Sequence, residues 1–252
     1  MSLTNFFKAE GPGVGIITDS TDIQFLEQAA MSGVQYIVFD DEHREGSADT
    51  KEKFLYAVQG KGIPAIIRIP EFQIDSIPRV LDCGFDGIII PHVEDAAALD
   101  RVMNNVYFPP KGMRGIGQCK GNRFYSEYDT AGYVELVNNN DWIIAQIESP
   151  KGVEHAEEIV SHAGVAAIMV GPRDLSTEMG KPGNFFDEEV QAKIAIVRDA
   201  CKKYNKALLM PCQPAAFSNY RERGINNFMV ATLPLCFNAM KNAAKAALEE
   251  CP

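Results

Sequence analysis

The chain has 252 residues, 46% of them hydrophobic and 23% charged, and 24 Lys and Arg stand against 34 Asp and Glu for a net charge of −10. This composition excludes a mainly disordered chain and supports one substantial core. The acidic balance speaks against sequence-independent binding to nucleic acid or to an anionic membrane surface.

In chain order, the first short apolar run is Val14–Thr18. The helical pattern after it puts Ile23, Leu26 and Ala30 on one face and stops at Gly33. Runs follow at Tyr36–Asp40, Ala65–Ile69 and Gly87–Ile90. Asp95 is placed to cap a helix with Leu99, Val102 and Met103 inward. After a long interval come Ile143–Glu148, Ala167–Gly171, Ala207–Met210 and Asn227–Val230. Asp187 is placed to cap a helix whose Val190, Ile194, Val197 and Cys201 share a face. The Ala-rich stretch from Leu235 to Glu249 has high helical propensity.

These runs are rich in Ile, Val, Phe and Met and hardly alternate, as strands covered on both faces of a parallel sheet do. Strands alternating with helices in this way predict an α/β fold, a (β/α)8 TIM barrel forming one domain over 1–252. A doubly wound sheet is the runner-up. It needs a glycine-rich phosphate turn after the first strand, and Asp19-Ser20-Thr21-Asp22 is not one. The interval between Gly87 and Ile143 reads as an elaborated loop with helical parts, in which Arg123 could reach this site or a neighbour's. No run is long enough to span a bilayer, and Met1 to Glu10 holds no export signal, so a cytoplasmic location is expected. The six cysteines form no CxxC pair and read as reduced thiols, with Cys83 in the core.

A barrel of this class does its chemistry at the C-terminal ends of its strands. Those ends carry Asp40-Asp41-Glu42-His43, Arg68, Pro91-His92, Gln146-Ile147-Glu148 and Gly171-Pro172-Arg173-Asp174. Glu148 and Asp174 suit an oxygen-preferring divalent cation, magnesium or manganese, unless each merely caps the helix after it. His43 follows three acidic residues and suits a general base; the competing reading is a surface-loop histidine, and His92 is the rival base. His155 and His162 read as residues of a solvated helix face. Arg68 sits in an apolar strand and needs an anion, either a substrate oxygen or a structural carboxylate. No strand carries a Lys, which argues against imine chemistry.

These segments, with Pro109-Pro110-Lys111-Gly112-Met113-Arg114-Gly115-Ile116-Gly117 and the Leu175-Ser176 and Met179-Gly180 that follow Asp174, occur in an order that resembles the HpcH/HpaI aldolase family. The members of that family are metal-dependent class II pyruvate aldolases. The resemblance runs from Val14 to Ala246. It implies a divalent metal (magnesium, manganese or cobalt) on Glu148 and Asp174, and cleavage of a 4-hydroxy-2-oxo acid to pyruvate and an aldehyde. It also implies that Arg68 supports the developing oxyanion and that His43, steered by Asp40, moves the proton of the C4 hydroxyl. Gln146 would line the metal site, and the backbone around Gly171 and Pro172 would hold the pyruvate carboxylate. A homo-oligomer is implied too, a hexamer whose last helix packs on a neighbouring subunit.

Three positions depart from the family pattern: Arg44, Arg173 and the segment Ala231-Thr232-Leu233. The two arginines suggest a second anionic group on the substrate, such as that of a dicarboxylate, or else they pair with Glu42 or Glu45. Two rival functions remain. One is a 2-oxo acid decarboxylase or enolate-condensing enzyme on the same site; the other is a non-catalytic ligand-binding barrel.

Overall fold

The computed structural model describes residues 3–7, 13–43 and 46–249. Arg44, Glu45 and Cys251 lie outside them. Eight parallel strands close into a barrel in sequence order. They are β1 Gly13–Thr18, β2 Tyr36–Asp40, β3 Ala65–Arg68, β4 Gly87–Ile90, β5 Ile143–Ile147, β6 Val165–Val170, β7 Ala207–Pro211 and β8 Asn227–Ala231. The predicted runs match these strands closely. The largest departure is β6, which begins two residues before the run that marks it.

Alternation along the strands divides the apolar core in two. Ile37, Phe39, Ile67, Ile88, Ala145 and Ile168 pack outward against the helices. Tyr36, Val38, Ile66, Ile89, Ile144, Met169, Leu209 and Met229 fill the barrel interior. A period of two then fixes what stands above the interior cluster. Asp40 continues the Tyr36, Val38 series, Arg68 follows Ile66, and Gln146 and Glu148 follow Ile144. The charged residues therefore rise from the same inward rows that make the core, one layer nearer the mouth.

At the opposite end, Leu3 and Phe7 join the interior cluster and close the floor. Phe7 meets Tyr36 edge-on with ring centroids 5.1 Å apart. The Tyr36 hydroxyl donates to the Phe228 carbonyl at 2.9 Å. Gly15 makes room for that ring, since a Cβ there would lie 2.3 Å from it.

Asp95 caps Ala96–Val106 by accepting from Ala98 N at 2.8 Å, and Asp187 caps Glu188–Lys203 by accepting from Glu189 N at 3.0 Å, both as the sequence predicts. Two expectations are corrected. Ile23 is 48% exposed, because helix Ile23–Met31 turns only Leu26 and Ala30 fully inward. His155 and His162 are not idle surface residues. His155 Nδ1 lies 2.7 Å from the Glu94 carbonyl, and His162 Nε2 lies 3.1 Å from Asp100 Oδ1. Helix Thr232–Glu249 leaves the barrel at the end of β8, with Leu233, Phe237, Met240 and Leu248 exposed. No helix among the described residues is long and apolar enough to cross a membrane.

Candidate active site

Strand register sets the first pair. Asp40 and Arg68 end adjacent strands and stand opposite each other. Arg68 Nε and Nη2 donate to the two Asp40 oxygens at 2.9 and 2.7 Å, a bidentate fork that fixes the guanidinium plane. Its Nη1 lies 2.7 Å from Glu42 Oε2. Burial opposes the Arg68 charge, but the bonds and charge of Asp40, with Glu42 and Glu148, hold it above the ordinary arginine range. Of the two anions the sequence allows for Arg68, the structure shows the structural carboxylates, Asp40 and Glu42, which match its buried charge.

Glu148 stands just past β5 and is 1% exposed. Gln146 Nε2 donates to its Oε2, and the His92 backbone N–H donates to its Oε1 at 2.9 Å. Burial pushes the carboxyl up to about 7, with Gln146 and His92 pulling the other way. Glu148 is not a helix cap. Ser149 does that for Pro150–Glu154, its Oγ accepting from Gly152 N at 3.0 Å. Gly171 is shaped around Glu148, since a Cβ there would lie 2.3 Å from Glu148 Oε2.

Two further residues close on Glu148. Ligand atoms of Glu42, His92 and Glu148 all lie within 4.8 Å of one another. Burial raises the Glu42 carboxyl, while Arg68 draws it down. Glu42 Oε2 meets Arg68 as an ion pair without hydrogen-bond geometry, and Gln146 Oε1 is likewise buried and accepts no hydrogen bond.

A cavity of about 440 Å³ opens at the mouth over Glu148. Asp40, His43, Arg68, Gln146, Glu148, Gly171, Pro172, Arg173 and Asp174 all line it, so the mouth gathers nine of the ten site residues the sequence nominates. The tenth, Arg44, lies outside the described residues. Asp174 is exposed in the first turn of Pro172–Glu178 and is not part of the Glu42–His92–Glu148 group.

The details correct two expectations. Asp40 is engaged by Arg68, and among the described residues the carboxylate paired with the His43 ring is that of Glu42, 3.7 Å from Nε2. The Gly171 N–H donates to Ile147 O at 3.0 Å and Pro172 has no N–H, so neither offers a free donor to a carboxylate. Arg123 pairs with Glu127 at 2.6 Å on the exposed loop. Sequence reasoning also missed Glu42 as a half-buried member of the site and His92 as a neighbour of Glu148. The clue for Glu42 is its place two residues beyond Asp40, the position that continues the inward row.

The model for the HpcH/HpaI aldolase/citrate lyase family matches residues 15–214. This chain belongs to that family, and it is an enzyme of the carbon–carbon lyase class. A 5-keto-4-deoxy-D-glucarate aldolase of Klebsiella pneumoniae subsp. pneumoniae is 33% identical over 193 residues, 75% of this chain and 74% of that protein. The crystal structure of an HpcH/HpaI aldolase from Desulfitobacterium hafniense DCB-2 aligns with a TM-score of 0.88 at 25% identity, covering 96% of this chain and 95% of the other. The citrate synthase SbnG shares the fold, with a TM-score of 0.82 at 23% identity over 99% of each chain.

Proposed function

We propose that this chain is a divalent-metal-dependent aldolase that cleaves a 4-hydroxy-2-oxo acid bearing a second carboxylate to pyruvate and an aldehyde. The observation that carries the reading is the Glu148 carboxylate, buried beside Glu42 and His92 under a cavity that also exposes Arg68. The curated relatives support the substrate class. Numbered from its keto end, 5-keto-4-deoxy-D-glucarate is itself a 4-hydroxy-2-oxo acid with a distal carboxylate.

The donor set fits a cation. Two carboxylates and an imidazole converge, Glu42 Oε2 facing Arg68 as well, and the buried Gln146 Oε1 accepts no hydrogen bond. Glu148 is the shared ligand of this group and of the pair it makes with Asp174. A magnesium, manganese or cobalt ion held there supplies Lewis acidity to a substrate keto oxygen.

The protein's own residues do the rest. Arg68, locked by Asp40, presents fixed positive charge where an oxyanion develops. His43, exposed at the rim, accepts the proton of the C4 hydroxyl as the C3–C4 bond breaks. Arg173 at the same rim pairs with no carboxylate among the described residues and is free for the distal carboxylate. The exposed apolar residues of Thr232–Glu249 support a homo-oligomer, a hexamer in which this helix packs on a neighbour.

The test is release of pyruvate from a synthetic 4-hydroxy-2-oxo dicarboxylate, followed with a coupled dehydrogenase. Cleavage that stops with chelator and returns with added ion supports the reading. Cleavage indifferent to chelator overturns the metal requirement, and no cleavage of any such acid overturns the substrate class.

A further inference from the structure

His92 is the most unusual residue at the mouth. It takes φ +50 two residues past β4, in the left-handed region that only a few per cent of non-glycine residues occupy, with asparagine, aspartate and histidine the commonest among them. Backbone in that region is held at a cost in strain and tends to mark functional sites. Here the conformation has two consequences at one atom. The His92 N–H donates to Glu148 Oε1 at 2.9 Å, and the ring Nε2 is brought to 3.6 Å from the same oxygen. At 3.6 Å that ring contact is not a hydrogen bond. Neither ring nitrogen has a hydrogen-bond partner among the described residues, although ring and carboxylate are packed together. Glu42 completes the group, all three ligand atoms lying within 4.8 Å.

We infer that the His92 ring is a nitrogen ligand in the cation site, and that it converts an oxygen site into a mixed nitrogen–oxygen one. The inference rests on the metal-dependent reading above and extends it to ion choice. Imidazole adds affinity for cobalt and its neighbours in the transition series and little for magnesium, which keeps oxygen and water ligands. Backbone and ring have separate tasks. The strained N–H orients Glu148, and the ring selects the ion.

Because the two tasks separate, so do the variants. His92→Gly accepts φ +50 without strain and keeps the N–H while removing the ring; His92→Asn also tolerates the left-handed region and substitutes an amide. The experiment is equilibrium titration of the chelator-stripped full chain with cobalt and with magnesium, together with the visible absorption spectrum of the cobalt form. His92→Gly should weaken cobalt binding about 10- to 100-fold and change the cobalt spectrum, while magnesium affinity moves by less than about threefold. Either His92 variant leaving both the cobalt-to-magnesium ratio and the spectrum at wild-type values would overturn the inference. Glu148→Gln is the control for the underlying reading and should abolish binding of both ions. Wild-type chain that binds neither ion, or binding untouched by Glu148→Gln, fails the metal-site reading itself. Glu148-dependent binding indifferent to His92 fails only the inference.

Discussion

The two ends of the barrel are built from the same inward rows and have opposite contents. The floor is dry and apolar, with Tyr36 ringed by Phe7 and fitted against Gly15. The mouth, one or two inward positions further along β2, β3 and β5, holds Asp40, Arg68, Gln146 and Glu148. Apolar burial contributes roughly 25 cal/mol for each Å² removed from water, so the floor is where the fold gains stability. Buried charge costs free energy unless it is matched. At the mouth Arg68 is ion-paired with two carboxylates, whereas Glu148 takes its hydrogen bonds from two neutral donors and has an imidazole and the Glu42 carboxylate beside it. The contrast separates residues kept for stability from one kept for chemistry.

Breaking the mouth should produce the largest effects on activity. Glu148→Gln should lower kcat/KM for aldol cleavage by about 10³-fold or more, the scale of a lost Lewis-acid site. Its effect on stability should run the other way in chelated protein. The folded carboxyl is pushed up to about 7 from the ordinary 4.5. A raised acid pKa means that ionisation opposes folding. The wild type should therefore lose stability as pH climbs from 4.5 through 7 and then level off, a loss on the order of 3 kcal/mol. Denaturant titration of chelated Glu148→Gln against wild type should show that slope removed. An equal slope in both proteins contradicts this electrostatic account of Glu148.

His43→Ala should come next. Removal of a general base costs typically about 10²- to 10⁴-fold. The cost should fall on aldol cleavage. Oxaloacetate decarboxylation, which abstracts no hydroxyl proton, should change by less than about tenfold. Equal losses in the two reactions would take the base role away from His43.

The floor should behave in the reverse way. Gly15→Ala sets a Cβ 2.3 Å from the Tyr36 ring. Overpacking of that kind costs about 1–3 kcal/mol, and Tm should fall by several degrees with kcat nearly unchanged. Tyr36→Phe should have the smallest effect, about 1 kcal/mol for the buried hydrogen bond to Phe228 O. A large loss of kcat in either floor variant would show that floor and mouth are coupled.

The barrel was legible in the sequence because its signals are local. Apolar runs, caps such as Asp95 and Asp187, and the polar residues just past each run are read within a few positions. The identity of the mouth residues followed from strand ends alone. Their partners did not. Asp40 meets Arg68 across 28 residues, and Glu148 meets the His92 N–H across 56. Other pairs with one buried partner, Asp41 with Lys51 at 2.8 Å and Arg114 with Asp82 at 2.6 Å, were missed for the same reason. Propensity and patterning carry no information on which distant strand end a side chain will face. The left-handed turn at His92 was also invisible, because His is enriched at positive φ but most histidines, like the other three here, do not take it.

The central claim is that a cation held at Glu148 lets this barrel form the enolate of pyruvate. Exchange of the pyruvate methyl protons in deuterated water, followed by NMR, tests it without any choice of aldehyde. The account predicts exchange with added magnesium, manganese or cobalt, none with chelator, and none in Glu148→Gln. Exchange that survives chelator or Glu148→Gln, or no exchange with any of the three ions, would contradict it.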